Sequence, residues 1–163
     1  MTDLLQLLQR YKFDPAKETE GVWHTVNLDG EHSIEIKVAR KTCRAYRDRV
    51  LSFIIPLLGK AEKGEDVEDG VIGETWAKVM AGTMLTDWRG LELDGVEFPF
   101  SEEAAVLVLT ELPEFRDEVM KLARDDDKYI EDDLEAVADR LGKTWRGLSN
   151  TEASPENQES ESE

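Results

Sequence analysis

The stretch from Met84 to Leu112, MLTDWRGLELDGVEFPFSEEAAVLVLTEL, constrains the fold more than any other. Gly90, Asp94-Gly95 and Pro99 break up regular structure, yet the same segment carries three large aromatics, Trp88, Phe98 and Phe100. Thr86 to Gly90 reads as the end of a helix begun near Val71, with Gly90 just past its C-terminus. Leu93-Asp94-Gly95-Val96 has the chemistry of a tight reversal, because glycine supplies a positive φ without a Cβ clash. Pro99 then biases Phe98 towards an extended conformation and removes one backbone donor. Ser101 can accept a bond from a free N–H at a new helix start, and Glu102 and Glu103 favour its positive dipole end. Ala104, Ala105, Val108, Leu109 and Leu112 follow on one face. So greasy a connection packs on its own domain or on a partner. The first is the common fate of large aromatics; the second makes Trp88, Phe98 and Phe100 candidate partner contacts.

Upstream, Thr2 to Tyr11 reads as a short amphipathic helix with Leu4, Leu8 and Tyr11 in a row, ended by Asp14-Pro15 and followed by a polar connector, Lys17 to Glu20. A helix so short needs a surface to dock on, its own domain or another subunit. Residues 21–39 alternate as a β-hairpin, Val22, His24, Val26 and Leu28 and then Ile34, Ile36 and Val38. A two-residue Asp29-Gly30 turn would put the two apolar rows on opposite faces. A three-residue connection, Asp29-Gly30-Glu31, pairs Val26 with Ile34 and Val22 with Val38, and the need for one buried face selects it. His24 then lies beside Ile36, a structural histidine in preference to a metal ligand, since His32 is the only other histidine.

Helices are predicted over about 42–59, 71–88, 101–112, 113–124 and 129–145. Pro56 should kink the first or end it early, and residues 59–70 form an acidic loop. Ile72, Trp76, Val79, Met80 and Thr83 form a core stripe on the second, and Pro113 suits a first helical position. On the last helix Ile130, Leu134, Val137, Leu141 and Trp145 make a seam for another helix, so Leu134, Leu141 and Trp145 join the candidate partner contacts. From Ser149 to Glu163 the chain is Ser- and Glu-rich with no large apolar residue, which reads as a disordered acidic tail. The expectation is one predominantly helical α+β domain over 1–148, its hairpin packed on helices, followed by that tail.

A net charge of -17 on 163 residues argues against sequence-independent nucleic-acid binding and disfavours anionic membranes. Against that background Lys37, Arg40, Lys41, Arg44, Arg47 and Arg49 are the one basic concentration. Arg40, Lys41, Arg44 and Arg47 are candidates for meeting an acidic partner or another copy. The single Cys43 rules out an internal disulfide and a cysteine zinc cage. Asp125, Asp126, Asp127, Glu131, Asp132 and Asp133 lack the spacing and central glycine of a calcium loop, and a solvated helix entrance explains them better. There is no nucleophile elbow, phosphate loop or metalloprotease helix. The reading is a non-enzymatic protein with no cofactor and no metal. With no signal pattern and no apolar run of membrane-spanning length, it is expected in the cytoplasm.

The order D-W-x-G, a D-G turn, then F-P-F-S-E-E-A and a leucine-bearing helix resembles the tail assembly chaperones of long-tailed (siphovirus-type) bacteriophages. It rests on Asp87, Trp88, Gly90, Asp94, Gly95, Pro99, Phe100, Ser101 and Ala104, and extends more loosely from Gly21 to Asp126. The resemblance implies a protein that binds and solubilises the hydrophobic tape-measure protein and contacts the major tail protein in the host cytoplasm. It also implies absence from the mature virion. In many such phages a programmed frameshift adds a second domain, and the acidic end here reads as the unextended product. A possible homo-oligomer fits the docking helix. Two rivals remain: an acidic DNA mimic or inhibitor that binds a basic host protein, and a metal-dependent hydrolase built on Asp125–Asp133.

Overall fold

Strand alternation and helix capping account for most elements of the computed structural model, which describes residues 3–152. The fold is α+β and mostly helical. Where the sequence reading draws one domain, the chain packs as two units, residues 13–130 and the two chain ends, 3–12 with 131–152.

In the larger unit, Asp14 caps a helix α1 that occupies Pro15–Glu20, the segment expected to be a polar connector. Pro15 sits at its start, where the missing N–H costs nothing, and Asp14 accepts from Ala16 N at 2.9 Å. Strands β1 (Val22–Asn27) and β2 (Ser33–Val38) form the hairpin in the register that buries one face, Val22 opposite Val38, His24 opposite Ile36 and Val26 opposite Ile34. Leu28 N donates to His32 O at 2.9 Å, closing a three-residue connection. Asp29 Oδ1 locks it by accepting from Glu31 N and His32 N at 3.0 and 2.7 Å.

The next helix carries its proline without ending. It runs as α2 (Arg44–Arg49), a π turn (Val50–Ile54) and α3 (Ile55–Glu62). Pro56 has no N–H to give the preceding turn and its ring crowds the carbonyl four residues back, so the chain widens to an i→i−5 bond, Ile55 N to Val50 O.

Helix α4 (Asp69–Met80) stops well short of the expected end at Trp88. Ala81 is extended, Gly82 takes φ +76°, and Leu85–Arg89 forms strand β3 antiparallel to β2. The three-stranded order is β1-β2-β3, with Trp88 opposite Ile36. The helical end read over Thr86–Gly90 is therefore wrong. Pairing with β2 satisfies the backbone of a β-branched and aromatic segment and buries Leu85 and Trp88 together. Asp94 and Gly95 take φ 52° and 75°, the two-residue reversal between β4 (Glu92–Leu93) and β5 (Val96–Glu97).

Ser101 Oγ accepts from Ala104 N at 3.0 Å to start α5 (Glu102–Glu111), and Pro113 opens α6 (Pro113–Ala123). A 3-10 turn, Asp126–Tyr129, ends the unit and buries Tyr129, whose hydroxyl donates to Val38 O at 2.9 Å. Burial pushes that phenol well above its ordinary range. The core brings the inner face of the sheet (Ile34, Ile36, Val38, Leu85, Trp88) against Val79, Met80, Ala105, Leu109, Val119 and Ala123. On the outer face Trp23 lies under the Arg89 guanidinium, 3.9 Å from the ring centroid.

The smaller unit pairs α7 (Leu4–Tyr11) with α8 (Leu134–Glu152). Helix α8 begins later than the expected Tyr129 because Tyr129 is held in the 3-10 turn. Ile130 is extended, and Asp133 Oδ1 caps the helix through Ala136 N at 3.0 Å. It also ends later than Trp145. The stretch read as tail from Ser149 is helical to Glu152, and the remainder of it, 153–163, lies outside the described residues. Among the described residues of this unit, Leu8 and Val137 are buried.

Candidate functional site

The aromatics of the Met84–Leu112 stretch converge, but inward. Trp88 is 5% exposed, stacked on Phe98 at 5.9 Å between centroids and met edge-on by Phe100 at 4.9 Å. Its Nε1–H donates to Phe98 O at 2.7 Å, so its one polar atom is used inside the fold. Phe98 and Phe100 are half-buried against the core cluster. As a partner contact Trp88 is therefore corrected to a core residue, with Phe98 and Phe100 as its flanks.

The last helix behaves differently. Leu134 is half-buried and Val137 buried, but Leu141 is 42% exposed and Trp145 69%. Leu148, which the sequence reading left out, continues the exposed row, and Leu4, Leu7 and Tyr11 of α7 are exposed as well. Spacing by four and three already placed Leu148 after Trp145; the tail reading, which shortened the helix, hid it.

The basic patch separates into two kinds of residue. Arg40 is internal: Nη1 meets Glu18 Oε1 at 2.5 Å, Nε meets Asp126 Oδ1 at 3.1 Å, and the guanidinium lies 3.4 Å over the Phe13 ring. Its side chain is 12% exposed, which removes it from any partner surface. Arg49 is likewise committed, donating to Lys78 O and Ala81 O at the end of α4 and pairing with Glu102 at 2.8 Å. Lys41, Arg44 and Arg47 are exposed.

A cleft of about 510 Å³ that the sequence reading missed lies among α2, α4 and α6, lined by Tyr46, Trp76, Met80, Met120, Arg116, Asp117, Lys121 and Arg124. Arg116 spans it as a strut, donating to Leu109 O at 3.1 Å and Gly73 O at 3.3 Å. Tyr46 and Met80 are buried side chains of its lining, and burial raises the Tyr46 hydroxyl despite the nearby Arg124 charge.

No arrangement for covalent or acid–base chemistry is assembled from the histidines and the cysteine. His24 is 9% exposed with Nε2 unpartnered, and desolvation, helped by the Lys128 charge, lowers its pKa below 6.5. His32 is exposed and tied to Asp29 by Nδ1 at 2.7 Å. Cys43 is buried against Thr83 O at 3.7 Å, and burial pushes its thiol up. In the acidic run, Asp126 is engaged by Arg40 and Asp133 by the α8 cap. Among the described residues no group of three or more metal-ligating side chains is placed to hold an ion, and no helix is long and apolar enough to cross a membrane.

No curated protein and no solved structure matches the chain. The family model described as YdaY prophage protein matches residues 41–143, from the first turn after the hairpin through about the first half of α8 and over more than half of the chain. The chain therefore belongs to the YdaY prophage protein family, a phage-derived lineage.

Proposed function

We propose that the protein is a non-enzymatic tail assembly chaperone, working in the host cytoplasm, that binds helical segments of the tape-measure protein and helps recruit major tail protein subunits. The observation that carries this reading is the row Leu141, Trp145 and Leu148, left exposed on α8 of a protein with a net charge of -17. A holdase needs apolar side chains to receive a greasy helix and a like-charged exterior to keep the complex from aggregating. Trp145, flat and apolar with one polar edge, is the kind of side chain that anchors such contacts. Membership of a prophage family and the resemblance over Asp87–Ala104 support the same assignment.

Co-expression with the tape-measure protein of the same prophage tests it. The expected result is a soluble complex that co-elutes on a sizing column. Trp145→Ala should weaken it about tenfold or more, at an unchanged melting temperature. A tape-measure protein that stays insoluble beside the intact chain would end this reading. The net charge would then favour an inhibitor of a basic host protein.

A further inference from the structure

We infer that the cleft among α2, α4 and α6 is a binding site for a flat organic monoanion, an aromatic ring that carries one carboxylate. At about 510 Å³ the cleft has the size of a small-molecule site. Every residue that lines it belongs to the unit 13–130, so the site is complete within one unit.

Charge and shape of the lining select the ligand. Arg116, Lys121 and Arg124 face one carboxylate, Asp117, in a protein whose net charge is -17. These cations are not spent on the protein's own acids. Among the described residues no carboxylate pairs with Arg116 or Arg124, and Lys121 Nζ reaches only Glu118 Oε2, at 3.9 Å. Arg116 is held in place by two neutral acceptors, Leu109 O and Gly73 O, which leave its charge unneutralised. A concave patch of one sign draws an ion of the other, and Asp117 repels a second negative charge, so a carboxylate suits the cleft better than a phosphate dianion. Tyr46 adds a polar handle. It is 8% exposed, yet among the described residues its hydroxyl has no hydrogen-bond partner, which leaves a donor for a ligand oxygen. The rest of the lining, the half-buried Trp76 and the thioethers of Met80 and Met120, offers a flat, polarisable surface that favours an aromatic ring over an aliphatic chain.

The site is tested by titrating the ¹⁵N-labelled full chain with 2-naphthoate and following amide and indole shifts. The expected result is saturable binding with a dissociation constant on the order of 1 mM or below, with the largest shifts at Trp76, Met80 and Met120. The neutral isostere 2-naphthylmethanol should bind at least about fivefold more weakly. Arg124→Gln should weaken 2-naphthoate about fivefold, the double variant Lys121→Gln with Arg124→Gln more than about tenfold, and Arg124→Lys less than about twofold. Arg44→Gln, outside the cleft, should change nothing. Arg124, Lys121 and Arg44 are exposed, so melts of the variants should overlay that of the parent. No saturable shift up to about ten times that concentration overturns the inference, as do shifts centred away from the cleft. Equal binding of the alcohol, or indifference to the double variant, overturns the assignment of an anion. The titration involves no tape-measure protein, so its outcome is independent of the proposed function.

Discussion

Replacing Arg40 by methionine removes a guanidinium and keeps an apolar stem of similar reach. The structure fixes what is lost. The contact with Glu18, whose side chain is 29% exposed, is a charge-assisted bond in a largely dry setting and contributes about 1.5 kcal/mol. The contact with Asp126, 51% exposed, is screened by water and contributes about 0.5 kcal/mol. The cation over Phe13 adds about 0.5–1 kcal/mol. Methionine regains part of the last term by packing on the ring, so the net loss should be about 2–3 kcal/mol. For a unit the size of 13–130 that corresponds to a melting temperature lower by about 10 °C. Arg47→Met and Lys41→Met are the controls, since a solvated charge should cost less than about 0.5 kcal/mol. Arg40→Lys should recover only part of the loss, because a point charge cannot serve both carboxylates and lie flat on Phe13 at once. Urea denaturation followed by tryptophan fluorescence gives the free energies. If Arg40→Met lies within about 0.5 kcal/mol of Arg47→Met, Arg40 is a surface charge after all and the reasoning from its contacts is refuted.

Three further outcomes follow from single side chains. The pKa of His24 is lowered in the fold, so stability is whole above 6.5 and declines as pH falls below that value, by at most about 1.4 kcal/mol per pH unit for one group. His24→Gln should flatten that slope in a series of melts at decreasing pH. Cys43, buried with its thiol pushed up, should react with an aromatic disulfide reagent at least about a hundredfold slower in the native protein than in urea. Trp88→Phe should cost about 1–3 kcal/mol through the lost Nε1 bond and unfilled volume, measured in the same urea titration.

What could be read from the sequence was what depends on near neighbours. The hairpin register follows from alternation and one turn, the start of α5 from Ser101 and its glutamates, and that of α6 from Pro113. The misreadings share a cause: a partner distant in the chain. Strand β3 reads as helix from the sequence because Ile72 to Thr83 is helically periodic, while the strand that captures it, pairing Lys37 with Asp87, lies fifty residues earlier. Gly82, at φ +76°, was the one local signal. Arg40 was grouped with Arg44 and Arg47 because they are close in sequence, yet its carboxylates come from positions 22 and 86 residues away. Periodicity and clustering are local measures; strand pairing and ion pairing are not.

The same distinction separates fold from binding in the Trp88–Phe100 motif. A connection this aromatic was read as a possible partner surface, but its tryptophan closes a core against β2 and spends its indole N–H on Phe98. The motif that resembles tail assembly chaperones is then a device for folding, and under the proposed function partner recognition would fall elsewhere, on the exposed row that ends with Trp145 and Leu148. Substitutions in the two places should therefore uncouple. Trp88→Phe, assayed where it is still fully folded, should bind the tape-measure protein as the parent does, because the α8 face proposed to bind it is untouched. Trp145→Ala should lose binding at full stability, since a side chain 69% exposed contributes little to the core. Plotted against stability, binding should fall off the common line at α8 and stay on it at the motif. The opposite pattern, with folded Trp88→Phe unable to bind and Trp145→Ala unaffected, would place recognition in the aromatic motif and leave the exposed α8 row unexplained.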